Sequence, residues 1–113
     1  MTDASQEVSP RQAAQMAAEG AQIVDVREDY ERAAGHIADS SHIELAQLTA
    51  RAGEIDRSRP VIFQCRIGGR SAMAAAAFAG AGYQAYTLGG GLLAWVEEGL
   101  PLVPENGGTV AAH

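Results

Sequence analysis

The chain has 113 residues, 47% hydrophobic and 19% charged, which suits one globular domain and excludes a disordered chain. Its net charge of −6 argues against nucleic acid or an anionic membrane as partner, and its eight basic residues are all arginine, which excludes a P-loop lysine, a Schiff-base lysine and a Ser–Lys pair. The single cysteine, Cys65, excludes an internal disulfide and a cysteine-rich zinc site; with no long apolar span and no basic–apolar leader at the N-terminus, the composition predicts a cytoplasmic protein.

Ser9-Pro10-Arg11-Gln12 reads as a helix start, with Ser9 as N-cap, Pro10 in the first turn and Gln12 completing a capping box. That helix is predicted to run to about Glu19 and to stop at Gly20. The apolar, β-branched run over 23–26 predicts a buried strand. A short helix follows over 28–34, ended by Gly35, then a brief strand at His42-Ile43. A small helix is predicted over 45–52, ended by Gly53, before a charged loop to Pro60.

Residues 61–64, Val-Ile-Phe-Gln, form the clearest central strand. The loop Cys65-Arg66-Ile67-Gly68-Gly69-Arg70 leads to Ser71, read as the N-cap of an Ala-rich helix over 72–79. Residues 84–88 are another strand, and Gly89-Gly90-Gly91 a tight turn, since it lacks the spacing of a dinucleotide-binding loop. A last helix spans 92–98, with Trp95 in the core, and Gly99 and Pro101 end it. The division expected is a domain over 1–103 and a flexible tail over 104–113. Alternating helices and strands at crossover spacing predict an α/β domain whose parallel sheet is covered on both faces, with ligands at the carboxyl ends of the strands.

Two features arrive at that edge: Asp25-Val26-Arg27 and the cysteine loop. The acids are unevenly spread, with none from Arg57 to Val96, whereas Arg57, Arg59, Arg66 and Arg70 all fall there. Gly68 and Gly69 allow successive N–H groups to point inward, the following helix adds unpaired donors, and Arg66 and Arg70 add charge. Each of these favours an anion at the sulfur, so Cys65 is expected to react as a thiolate.

The chain resembles the single-domain rhodaneses, a family of thiosulfate and persulfide sulfurtransferases. The likeness rests on Asp25-Val26-Arg27-Glu28, Glu31 and Gly35-His36-Ile37, then on Cys65-Arg66-Ile67-Gly68-Gly69-Arg70-Ser71, and finally on Leu88-Gly89-Gly90, Ala94-Trp95 and Gly99-Leu100-Pro101. It implies a three-layer α/β fold with a five-stranded parallel sheet and a persulfide on Cys65. Arg66, Ile67, Gly68, Gly69, Arg70 and Ser71 would bind the substrate, while Asp25, Arg27 and His36 would support the site. The expected partners are a small anionic sulfur donor and a cyanide or thiol acceptor, protein thiols included, with no cofactor or metal and a monomeric or homodimeric chain.

Asp39 and Glu44 depart from the family's pattern and leave the rim charge and partner docking open, without touching the argument for the nucleophile. His42 is not placed for a metal, since no Cys, His or Asp cluster at ligand spacing surrounds it, and His113 lies in the tail. Related phosphatases and arsenate reductases place five residues between cysteine and arginine, a ring that fits a tetrahedral oxyanion. Here four lie between Cys65 and Arg70, which favours a single sulfur ringed by N–H donors. A persulfide carrier serving one partner protein is the alternative use of the same cysteine.

Overall fold

The computed structural model describes residues 6–104. Five parallel strands form one sheet: β1 (Gln6–Val8), β2 (Gln22–Asp25), β3 (Ser41–His42), β4 (Val61–Gln64) and β5 (Ala85–Leu88), in the order β1-β5-β4-β2-β3. The helices are α1 (Pro10–Ala18), α2 (Asp29–Ala34), α3 (Gly69–Gly80) and α4 (Gly91–Glu97). No helix among the described residues is long and apolar enough to cross a membrane.

Strand β4 is the centre of the fold, and all four of its residues are buried. Successive side chains of a strand point to opposite faces. Val61 and Phe63 therefore join Val24, Val26, Ala74, Ala75 and Phe78 on the α3 side, whereas Ile62 joins Val8, Ala13, Leu92 and Trp95 on the side of α1 and α4. The small side chains of α3 let that helix lie close on the sheet, and Phe78 fills the remaining depth against Phe63, with ring centroids 5.0 Å apart.

Helix α1 starts as its residues require. The Ser9 hydroxyl accepts from the Gln12 N–H at 3.1 Å, and the Gln12 side chain accepts from the Ser9 N–H at 2.9 Å. Several other boundaries differ from the sequence reading. The helix expected over 45–52 is replaced by two 3-10 turns, Leu45–Gln47 and Ala52–Glu54, which bury Leu48 and Ile55 between them without a continuous apolar face. Helix α3 begins at Gly69 rather than after Ser71, because Gly68 takes the left-handed conformation that starts it (φ 117°). Ser71 is therefore inside the helix and is not its cap. Strand β1 was not anticipated: Gln-Glu-Val carries no apolar run, and pairing with Tyr86–Leu88 of β5 makes it a strand. Of the expected tail, residues 105–113 lie outside the described residues.

Candidate active site

Cys65 follows β4 directly and is 1% exposed. Its Sγ accepts the Gly68 N–H at 3.1 Å and the Ser71 N–H at 3.4 Å, and it lies 3.5 Å from the Ser71 hydroxyl. Both amides belong to the start of α3, so the unpaired donors of a helix N-terminus converge on one sulfur. The Ser71 hydroxyl also meets the Gly68 carbonyl at 3.2 Å and the Thr87 hydroxyl at 2.7 Å. Thr87 thus fixes the floor of the loop from β5.

A second helix start holds the loop from behind. The Leu92 N–H donates to the Cys65 carbonyl at 2.8 Å, and the Leu93 N–H to the Arg66 carbonyl at 3.1 Å. This close approach requires glycine at position 91. Its φ is 64°, and a side chain there would overlap the Arg66 carbonyl and come within 2.6 Å of the Ile67 nitrogen. The Cys65 and Arg66 carbonyls are thereby bonded to α4, while the Gly68 and Ser71 N–H groups meet the sulfur. This role of Gly91, Leu92 and Leu93, like that of Thr87, had no signal in the chain, because each acts across tertiary contacts.

Arg70 does not direct its charge at the sulfur alone. Its guanidinium forms two parallel bonds to Glu31 of α2, at 2.7 and 3.0 Å. The Glu31 side chain is 1% exposed and that of Arg70 33%. Burial, the largest single influence, pushes the Glu31 carboxyl up, but the Arg70 hydrogen bonds, the Glu28 N–H and the charges of Arg70 and Arg27 outweigh it and hold it below its ordinary range. Glu31 in turn keeps Arg70 firmly protonated. The acid-free stretch of sequence is therefore not acid-free in space. Of its other arginines, Arg57 covers the Tyr83 ring and Arg59 donates to the Gly20 carbonyl, whereas Arg66 lines the cysteine cavity.

Asp25 and Arg27 form a fully buried pair beside the loop. Arg27 Nε and Nη2 donate to the two Asp25 oxygens at 2.9 and 2.8 Å, and Nη2 also meets the Gly35 carbonyl at 2.7 Å. The Gln64 amide lies 3.4 Å from both Asp25 Oδ1 and the Cys65 carbonyl, which links this pair to the cysteine. His36 pairs its backbone with Val103, and its ring nitrogen lies 3.4 Å from the Arg32 carbonyl.

An open cavity of about 260 Å³ is lined by Cys65, Arg66, Ile67, Gly69 and Arg70. Ile67 at its tip is 60% exposed. A larger depression, about 540 Å³, lies at the amino ends of the strands against Gln22, Ser41 and Arg59, away from Cys65. Asp39 lines that depression rather than the cysteine cavity. His42 also differs from its sequence reading: Asp29, from the start of α2, and Glu44, two residues on, both lie beside it.

The chain is similar in sequence and in fold to known proteins. The rhodanese-like domain model matches residues 9–98. The thiosulfate sulfurtransferase GlpE of Pseudomonas paraeruginosa is 36% identical over 96 residues, covering 84% of this chain and 87% of its own. A sulfurtransferase of Allochromatium vinosum is 37% identical over 86 residues, covering 75% and 80%. The crystal structure of a rhodanese-related protein from Thermoplasma volcanium superposes with a TM-score of 0.81 at 28% identity, covering 87% of this chain and 97% of that one. By the domain match over residues 9–98 and by relatives 36–37% identical over most of its length, the chain belongs to the rhodanese-like domain family.

Proposed function

We propose that the protein is a sulfurtransferase that carries a sulfane sulfur on Cys65. The observation that carries this reading is the pair of N–H groups, from Gly68 and Ser71, aimed at Sγ. They favour negative charge on the sulfur at rest and on the outer sulfur of a persulfide formed in its place, as backbone donors do for an oxyanion. The relatives named thiosulfate sulfurtransferase support thiosulfate as the donor.

The Cys65 thiolate attacks the outer sulfur of thiosulfate, the S–S bond of the donor breaks, and sulfite leaves with the bonding pair. The enzyme is left as a Cys65 persulfide anion. Cyanide or a thiolate then attacks the outer persulfide sulfur and departs as thiocyanate or a new persulfide, restoring the thiolate. This is double-displacement covalent catalysis with no net redox change and no general base in the first step. Arg66, in the cavity wall next to the nucleophile, suits the approach of a doubly charged donor. Arg70 acts on the loop through Glu31, and Asp25 and Arg27 brace the strand end from which the loop departs. A free-thiol mechanism suits a reducing cytoplasm.

Intact mass after incubation with thiosulfate tests the reading. The parent should gain one sulfur atom, removable by cyanide, and Cys65→Ser should gain none. An unchanged parent mass would overturn it. A carrier that loads one protein partner is the second reading, favoured by the apolar exposure of Ile67 and of Met73, 61% exposed and one turn beyond Gly69 on α3. Slow thiosulfate:cyanide turnover beside fast transfer to a protein thiol would select it.

A further inference from the structure

Asp29, His42 and Glu44 come from three places: the first residue of α2, the last residue of β3, and the segment just after it. Sheet pairing of His42 with Asp25 brings β3 level with the end of β2, from which α2 soon starts. One ligand atom from each of the three residues lies within 4.8 Å of the others. We propose that these residues form a binding site for a divalent transition-metal ion of the zinc class.

The histidine tautomer carries the inference. His42 Nε2 lies 2.7 Å from the Arg27 carbonyl, which can only accept, so Nε2 bears the proton. In the neutral ring Nδ1 then carries a lone pair, and it faces Asp29 Oδ1 at 3.5 Å. A histidine held by a backbone carbonyl through one nitrogen, with the other free to ligate, is the usual orientation at protein metal sites. Glu44 is held in place as well, since its Oε2 accepts the Asp29 N–H at 2.9 Å. Two carboxylates and an imidazole lone pair repel one another when brought together, and a doubly charged cation between them reverses the sign and balances the charge.

The donor set selects the ion. One nitrogen and two carboxylates match zinc, whereas calcium takes about six to eight oxygens. Donors bound at about 2.0–2.2 Å from a tetrahedral zinc ion lie about 3.3–3.6 Å apart, a spacing that His42 Nδ1 and Asp29 Oδ1 already have at 3.5 Å, so at most a small movement completes the site. Asp29, with an 89% exposed side chain, has the freedom to supply that movement. Three protein donors leave a position for water. The site lies outside the cysteine cavity, and its occupancy does not depend on the sulfur-transfer reading.

The Cys65→Ser chain removes the competing thiolate and is dialysed to equilibrium against low-micromolar Zn²⁺. One zinc per chain is expected, with affinity at least tenfold weaker in Cys65→Ser chains that also carry His42→Ala or Asp29→Asn. Circular dichroism establishes that each variant is folded. If His42→Ala does not fold, the exposed Asp29→Asn carries the comparison. Co²⁺ in the parent site should show the weak visible bands of nitrogen and oxygen ligands without sulfur-to-cobalt charge transfer. No stoichiometric zinc on the folded Cys65→Ser chain, or equal affinity in the folded double variants, would overturn the proposal.

Discussion

The ion pair between Arg70 and Glu31 should govern both the stability of the domain and its sulfur chemistry. Removing one member of a buried pair costs about 3–5 kcal/mol, because the other charge is left without a partner. Here Glu31 is 1% exposed but Arg70 is 33% exposed, so water can reach part of the vacated space. Arg70→Ala is therefore expected to cost about 2–3 kcal/mol, below the fully buried range. For a domain of this size that lowers the thermal midpoint by about 10–20 °C.

The pH dependence gives a sharper check. Glu31 titrates below its ordinary value of 4.5, so its pairing stabilises the fold fully above the unfolded carboxyl value and is lost as pH falls through the lowered folded value. The stability gap between parent and Arg70→Ala should be widest near neutral pH and close through the acid range. Sulfur transfer should fall by about 10- to 100-fold, the loss expected for a charged hydrogen bond that fixes the loop. Urea and thermal unfolding at several pH values measure the first effect, and persulfide yield the second. An Arg70→Ala midpoint within about 2 °C of the parent, with a gap independent of pH, would refute the assignment of the loop's anchor to this pair.

Gly91→Ala should displace the cysteine loop, since the left-handed backbone costs about 1–2 kcal/mol for a residue with a side chain and the added methyl overlaps the Arg66 carbonyl. Its persulfide yield by intact mass should collapse, whereas Gly80→Ala, with nothing within 4 Å at the end of α3, should leave it intact. Arg66→Ala should raise the thiosulfate KM by about 10- to 100-fold with a smaller change in kcat, the sign of lost uniform binding. Added salt should weaken thiosulfate binding more in the parent than in that variant, and equal salt dependence in steady-state assays would remove the donor-binding role.

Local chemistry alone was enough for several features. The Ser9–Gln12 capping box, the strand at 61–64 and the turn at Gly89-Gly90-Gly91 depend on neighbours within a few residues, and all three stand in the structure. The cysteine between a strand and a helix was legible for the same reason. Helix α3, by contrast, starts earlier than its best capping residue suggested. Ser71 has a use inside the helix, bonded to Thr87 and beside Cys65, that outweighs its preference for the cap.

What remained hidden depended on distance along the chain. Strand β1 exists because β5 offers it an edge, and the partners of the cysteine loop lie on α2, β5 and α4. Glu31 reads locally as the third residue of a helix start, where it accepts the Glu28 N–H, and the same carboxylate also receives Arg70. The amino acids by themselves determine the alternation of elements, the place of Cys65 between a strand and a helix and the donors closest to it, because those follow from local backbone geometry and apolar periodicity. Only the tertiary structure decides which acid meets Arg70, which helix restrains the loop and which carboxylates meet His42, because charges and hydrogen-bonding groups far apart in sequence acquire partners only when the sheet assembles.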